Sequence, residues 1–113
     1  PTVLDGVTDD MICAKTELFA PIIQFLTFKD LDEVIERANK SDYGLRGYVF
    51  TYDYRVITRC INELQHGGIT INLTPEGPNV PHVGMKNSGT GCVRSKWSLD
   101  EYFQLRVATM SAK

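Results

Sequence analysis

Apolar residues follow two alternating rhythms along the chain. Ile22-Ile23-Gln24-Phe25-Leu26-Thr27-Phe28 is a run of β-branched and aromatic residues, which predicts a strand buried on both faces. The rhythm then lengthens. Leu31, Val34, Ile35 and Ala38 recur at i, i+3, i+4 and i+7, the apolar face of a helix. Asp30 offers the N-cap oxygen, Glu33 completes a capping-box pair, and the helix should stop near Asn39, with Gly44 in the connection. Burying Leu31, Val34 and Ile35 would contribute about 1.5–3 kcal/mol each before entropy costs.

The cycle repeats. Gly47-Tyr48-Val49-Phe50-Thr51 predicts a second strand, and Asp53 a second N-cap. Ile57, Cys60, Ile61 and Leu64 give the next helical face, Gly67-Gly68 should end that helix, and Ile69-Thr70-Ile71-Asn72 predicts a third strand. Helical crossovers of this length favour parallel strands in a right-handed arrangement. The expected fold class is therefore α/β, a βαβαβ part of a parallel sheet.

No period runs from Leu73 to Gly91. This stretch holds Pro75, Pro78 and Pro81 with Gly77, Gly84, Gly89 and Gly91, and predicts one long loop of the kind that often carries function. Ser98-Leu99-Asp100-Glu101 is another capping-box pattern, predicting a short helix through Tyr102-Phe103, and Gln104 to Met110 suits a final strand. Pro1 to Lys15 has no clear rhythm.

Composition narrows the function classes. A chain of 113 residues, 42% hydrophobic and with net charge -2, suits one globular domain or part of one. No charge run points to nucleic acid or a membrane surface, and no apolar run approaches the ~20 residues of a membrane span. No signal peptide is visible, and a start at Pro1 without an initiator methionine suits a trimmed or a processed chain. Cys13, Cys60 and Cys92 are odd in number and far apart, which argues against a disulfide framework and for a reducing, cytoplasmic setting.

The candidate chemistry is sparse. Gly84, Gly89 and Gly91 do not form a phosphate loop, because Lys86 sits between the glycines instead of directly after the last one. His66 and His82 have no ligand-spaced partners, so no metal site is expected, and no Gly-x-Ser-x-Gly elbow supports a hydrolytic triad. Glu17 stands two residues before Phe19. A carboxylate can accept hydrogen bonds from sugar hydroxyls and a ring can cover a flat heterocycle; the same pair equally describes a surface acid and a core aromatic.

Ordered landmarks go further. Thr16-Glu17-Leu18-Phe19-Ala20-Pro21 is similar to the Glu-(Ile/Leu)-Phe-Gly-Pro signature of aldehyde dehydrogenases. Ala38-Asn39 with Tyr43-Gly44-Leu45, Gly67-Gly68-Ile69-Thr70-Ile71-Asn72, Pro81-His82-Val83-Gly84-Met85-Lys86-Asn87-Ser88-Gly89-Thr90-Gly91 and Leu99-Asp100-Glu101-Tyr102 resemble further motifs of that family, in its order and spacing. The resemblance spans nearly the whole chain and implies the C-terminal portion of such an enzyme: residues 1–103 the last part of the catalytic domain, residues 104–113 an oligomerisation strand and tail.

In that family an aldehyde is oxidised through a thiohemiacetal on a Cys, with hydride transfer to NAD or NADP and water activation by a Glu. The resemblance implies that Glu17 bonds the nicotinamide ribose, that Phe19 lies beside the nicotinamide, and that Leu73 to His82, with Pro75 and His82, lines the substrate tunnel. It places the catalytic Cys, the general-base Glu, the oxyanion donor and the dinucleotide-binding glycines in other segments, so this chain alone has no catalytic residue, binds no cofactor tightly and should be inactive. Its partners would be the missing N-terminal part or further copies, joined through the C-terminal strand and exposed sheet. Departures from the pattern are Ala20 for Gly, His82-Val83 for Phe-Gly and Cys92-Val93 for Arg-Glu; Ala20 would cost stability if its site needs a positive φ. The alternatives are a non-catalytic binding or oligomerisation module derived from the same fold, and an enzyme of another class built on His82.

Overall fold

A computed structural model describes residues 1–72 and 77–112. The chain forms two compact units, Pro1–Ser41 and Asp42–Lys113.

In the first unit, β1 (Thr2–Leu4) is followed by a four-residue helix, α1 (Ile12–Lys15), and by β2 (Ile22–Gln24), which pairs with β1 in parallel. Phe25 N–H continues the ladder to Leu4 O at 2.8 Å. A regular ladder would next run from Gly6 N–H to Phe25 O. Val7 N–H makes that bond instead, at 3.2 Å, while Gly6 turns aside at φ +66° and donates to the Asp5 carboxylate at 2.9 Å. The extra residue is a β-bulge, and glycine takes its left-handed conformation without steric penalty.

The strand expected over 22–28, buried on both faces, is shorter and barer. Strand pairing covers Ile22–Gln24 only, and Ile23, Phe25 and Phe28 are exposed. A two-stranded pair cannot cover both of its own faces. Nor does one βαβαβ sheet form among the described residues: the strands make four separate two-stranded sheets, and the partner of β2 is β1, from the stretch without rhythm.

The first predicted helix forms as expected. α2 (Leu31–Asn39) starts on Asp30, which accepts from Glu33 N–H at 2.9 Å. Glu33 reaches back to Lys29 N–H at 2.9 Å, one residue earlier than in a regular capping box. Ile35 is buried, as is Val7. From the last turn, Arg37 binds Asp9 with two nitrogens, at 2.8 and 2.7 Å, and also reaches Thr27 O and Glu33. Its hydrogen bond holds the Asp9 carboxyl below the usual range.

The second unit contains the expected crossover. After the short β3 (Tyr43–Gly44) come β4 (Arg46–Val49), α3 (Tyr54–Glu63) and β5 (Gly68–Ile71), with β4 and β5 parallel and Arg46 opposite Gly68. Asp53 caps α3 by accepting from Arg55 N–H at 2.8 Å. Cys60 is the buried residue of α3, 4% exposed, whereas Ile61, expected on the same face, lies largely open. Burial, with Glu63 the next cause, pushes the Cys60 thiol up.

Gly67-Gly68 do not end that helix. It stops at Glu63, with Leu64 as C-cap. The two glycines serve a close approach of backbones: Gly67 N–H donates to Gly44 O at 2.9 Å, and a Cβ on Gly67 would strike the Val83 carbonyl oxygen. At the far end of β5, Asn72 turns to φ +52° and its side chain completes the ladder. Its Oδ1 accepts from Thr51 N–H at 3.0 Å, its Nδ2 donates to Thr51 O at 3.0 Å, and its own N–H donates to Val49 O at 2.9 Å.

The stretch expected as one loop carries structure. β6 (His82–Val83) pairs antiparallel with β8 (Cys92–Val93), and β7 (Met85–Lys86) with β3. Strands of two residues are too short to show a period. A 3-10 helix, Lys96–Tyr102, is capped by Ser95, not Ser98. Residues 104–112 form no strand; Leu105, 97% exposed, and Val107 have no partner edge among the described residues. A strand needs a neighbour to take its backbone bonds.

Candidate functional site

Glu17 and Phe19 lie between α1 and β2, where the backbone makes two tight turns in succession. Ala20 N–H donates to Leu18 O at 2.9 Å and Ile22 N–H to Ala20 O at 2.7 Å. The turns hold both side chains on the surface: Glu17 is exposed and the Phe19 ring is 93% exposed. Ala20 is absent from the positive-φ positions, so the expected cost of replacing glycine there does not arise.

In the second unit the sequence-predicted residue is His82, on β6. Its Nδ1 lies 3.1 Å from Nη2 of Arg46, the first residue of β4. Arginine only donates, so Nδ1 accepts and the ring proton sits on Nε2. Arg46 reaches His82 over Gly68, where a Cβ would lie 2.5 Å from the guanidinium carbon. Pro75, the other predicted tunnel residue, lies outside the described residues, as do Leu73, Thr74 and Glu76. Glu17 and Phe19 thus share one segment of the first unit, and His82 belongs to the second.

Sequence reasoning missed Arg46 and His66. Arg46 contacts His82 across 36 positions, and no local pattern marks such a pair. In sequence His66 stands out only as a possible metal ligand. Its Nδ1 is buried with no hydrogen-bond partner among the described residues, and burial, then the charge of Lys86, lowers its pKa. It is a neutral, structural ring near neutral pH. Among the described residues no group of three or more His, Cys, Asp or Glu could hold a metal, and no helix is long and apolar enough to cross a membrane. Gly89 and Gly91 take positive φ, +117° and +84°, as turns require.

Comparison with known proteins supplies the family. The model of the aldehyde dehydrogenase family matches residues 1–108. Among curated relatives, the non-phosphorylating aspartate-semialdehyde dehydrogenase of Halomonas elongata is 39% identical over 113 residues, covering 99% of this chain and 23% of its own. Human retinal dehydrogenase 2 is 41% identical over 111 residues, covering 97% and 21%. Among solved structures, the NAD+ complex of a Bacillus cereus aldehyde dehydrogenase superposes with a TM-score of 0.84 at 40% identity, over 88% of this chain and 21% of that one. The chain therefore spans about a fifth of the length of the relatives it matches.

Proposed function

The chain belongs to the aldehyde dehydrogenase family, and we propose that it is a stretch of an enzyme that oxidises an aldehyde to a carboxylic acid with NAD or NADP. The observation that carries this reading is the family match across residues 1–108, nearly the whole chain. The order of the motifs supports a place in the C-terminal portion of the parent, with residues 1–103 closing the catalytic domain and 104–113 supplying an oligomerisation strand. The intact reading frame tests that placement: a nucleophilic Cys and a basic Glu encoded upstream support it, and the same residues encoded downstream overturn it.

Glu17 and Phe19 have the chemistry to meet the cofactor. An exposed carboxylate and an exposed ring two residues apart fit a ribose and a flat heteroaromatic ring. Glu17 would accept the ribose hydroxyls, and Phe19 would cover one face of the nicotinamide and keep water from it. The cofactor supplies the hydride acceptor. Pro75 and His82 would line the substrate tunnel. The nucleophile and the base come from elsewhere in the parent, so the isolated chain is inactive. Glu17→Gln in the full-length parent should weaken cofactor use; unchanged kinetics with both NAD+ and NADP+ would remove the assignment. Three free cysteines support a cytoplasmic setting.

The exposed apolar residues favour a second reading for the chain on its own. Leu105, Val107 and Met110 are open, as are Phe25 and Phe28. Surfaces of this kind drive association with the rest of the enzyme or with further copies. Light scattering over a concentration series should show oligomers, and a clean monomer throughout would contradict this.

A further inference from the structure

We propose that Arg46 is a positioning residue that fixes His82 as a hydrogen-bond donor through Nε2, so that the aldehydes taken at this site carry an oxygen acceptor, a carboxylate foremost. The substrate part of this inference rests on the reading of His82 as a tunnel residue; the state of the ring does not.

Three features of the structure carry it. First, the bond between Arg46 Nη2 and His82 Nδ1, at 3.1 Å, has one chemical sense. A guanidinium stays protonated and has no acceptor, so Nδ1 must present its lone pair and Nε2 must hold the proton. Second, the His82 ring makes no other hydrogen bond among the described residues, so the Nε2–H donor is left available. Third, the arrangement is built into the sheet. Arg46 stands opposite Gly68 in the β4–β5 register, and the missing Cβ of Gly68 is the space through which the guanidinium reaches β6. A donated hydrogen bond at Nδ1 polarises the ring and strengthens donation at Nε2. Such a donor favours an oxygen acceptor over a purely apolar or cationic group, and an ionised acceptor over a neutral one.

The chain's two histidines make the test direct. Nitrogen-15 NMR of the full chain, labelled at histidine, reads which ring nitrogen carries the proton. At a pH where both rings are neutral, His82 should show a single Nε2–H form; a Nδ1–H form or a mixture overturns the proposal. Arg46→Met should release His82 into a mixture of tautomers, and Arg46→Lys should restore the single form. Gly68→Ala offers a second route, because the added methyl displaces the guanidinium without removing it, and it too should yield the mixture; an unchanged His82 signal in both Arg46→Met and Gly68→Ala overturns the positioning role. Titration with acetate, and separately with tetramethylammonium, tests the ligand class. Acetate should shift the His82 Nε2–H resonance in the parent chain, tetramethylammonium should not, and the acetate shift should vanish in Arg46→Met. An acetate shift no larger at His82 than at His66 overturns the acceptor preference. A reading frame without the nucleophile Cys would remove the enzyme assignment and leave these NMR results standing.

Discussion

In the Pro1–Ser41 unit a contact between side chains far apart in sequence is ionic. Arg37 gathers Asp9, Thr27 O and Glu33 at the surface, 28 residues from Asp9. In the Asp42–Lys113 unit, beside the side-chain contact of Arg46 with His82, backbone meets backbone. Gly44 lies against the Gln65 carbonyl and Gly67 against the Val83 carbonyl, so closely that neither could carry a methyl group without movement. The difference lies in what each unit tolerates. A solvated ion pair gains little and can relax when one partner is lost. A backbone approach has no side chain to move aside, so one extra carbon must shift a whole segment.

Gly67→Ala has the largest expected effect. It should lower stability by about 1–3 kcal/mol, read as a fall in the urea midpoint. Gly68→Ala, one residue on, should cost less than about 1 kcal/mol, because the atoms it meets are the tip of the flexible Arg46 side chain. Equal losses at the two positions would break the distinction between backbone and side-chain neighbours. In the first unit, Asp30→Ala removes the oxygen that accepts Glu33 N–H and should cost about 1 kcal/mol. Arg37→Met should cost less than that, and its effect should shrink in high salt, whereas the loss from Gly67→Ala should be insensitive to salt.

The last test separates the units by pH. His66 has its folded-state pKa lowered by burial and then by Lys86, so the unfolded chain takes up its proton first as acid is added. Stability from this ring is fully present above its ordinary value of about 6.5 and falls as the pH drops below it. His66→Gln should flatten that part of the pH profile in circular-dichroism melts, and an unchanged slope would show that the ring is not buried in solution.

The helices were legible because each announces itself locally. Asp30 and Asp53 cap the turns that follow them, and the period of 3.6 needs only neighbours to be seen. The β4–α3–β5 crossover followed from the same signals. What stayed hidden depends on partners far away. β6, β7 and β8 are two residues each and exist only through pairing. Ser95 caps its helix from φ +58°, directly after Arg94 at +66°, a backbone that nothing in either residue type foretells. In sequence Gly67-Gly68 suggest a helix stop, because glycine marks conformational freedom and close approach with the same letter. In the candidate site, Glu17 and Phe19 were found through the family motif and turned out exposed on tight turns. Arg46, which sets the state of His82, could be found only once β4, β5 and β6 had been brought together.

Asn72 shows how narrow such a requirement becomes. The position sits at φ +52°, where asparagine, aspartate and glycine are the residues that rest with least strain. Its side chain must give one hydrogen bond to Thr51 and accept another, as a peptide group does. Glycine has nothing to offer there, and an ionised aspartate can accept but cannot give. Glutamine has both groups, on a longer arm and without the tolerance for that backbone. The twenty-letter alphabet thus reduces to one letter at the end of β5. The same logic sets a chemical clock on the fold: slow hydrolysis of this one amide to a carboxylate would press a negative oxygen against the Thr51 carbonyl, and the sheet would age from that corner.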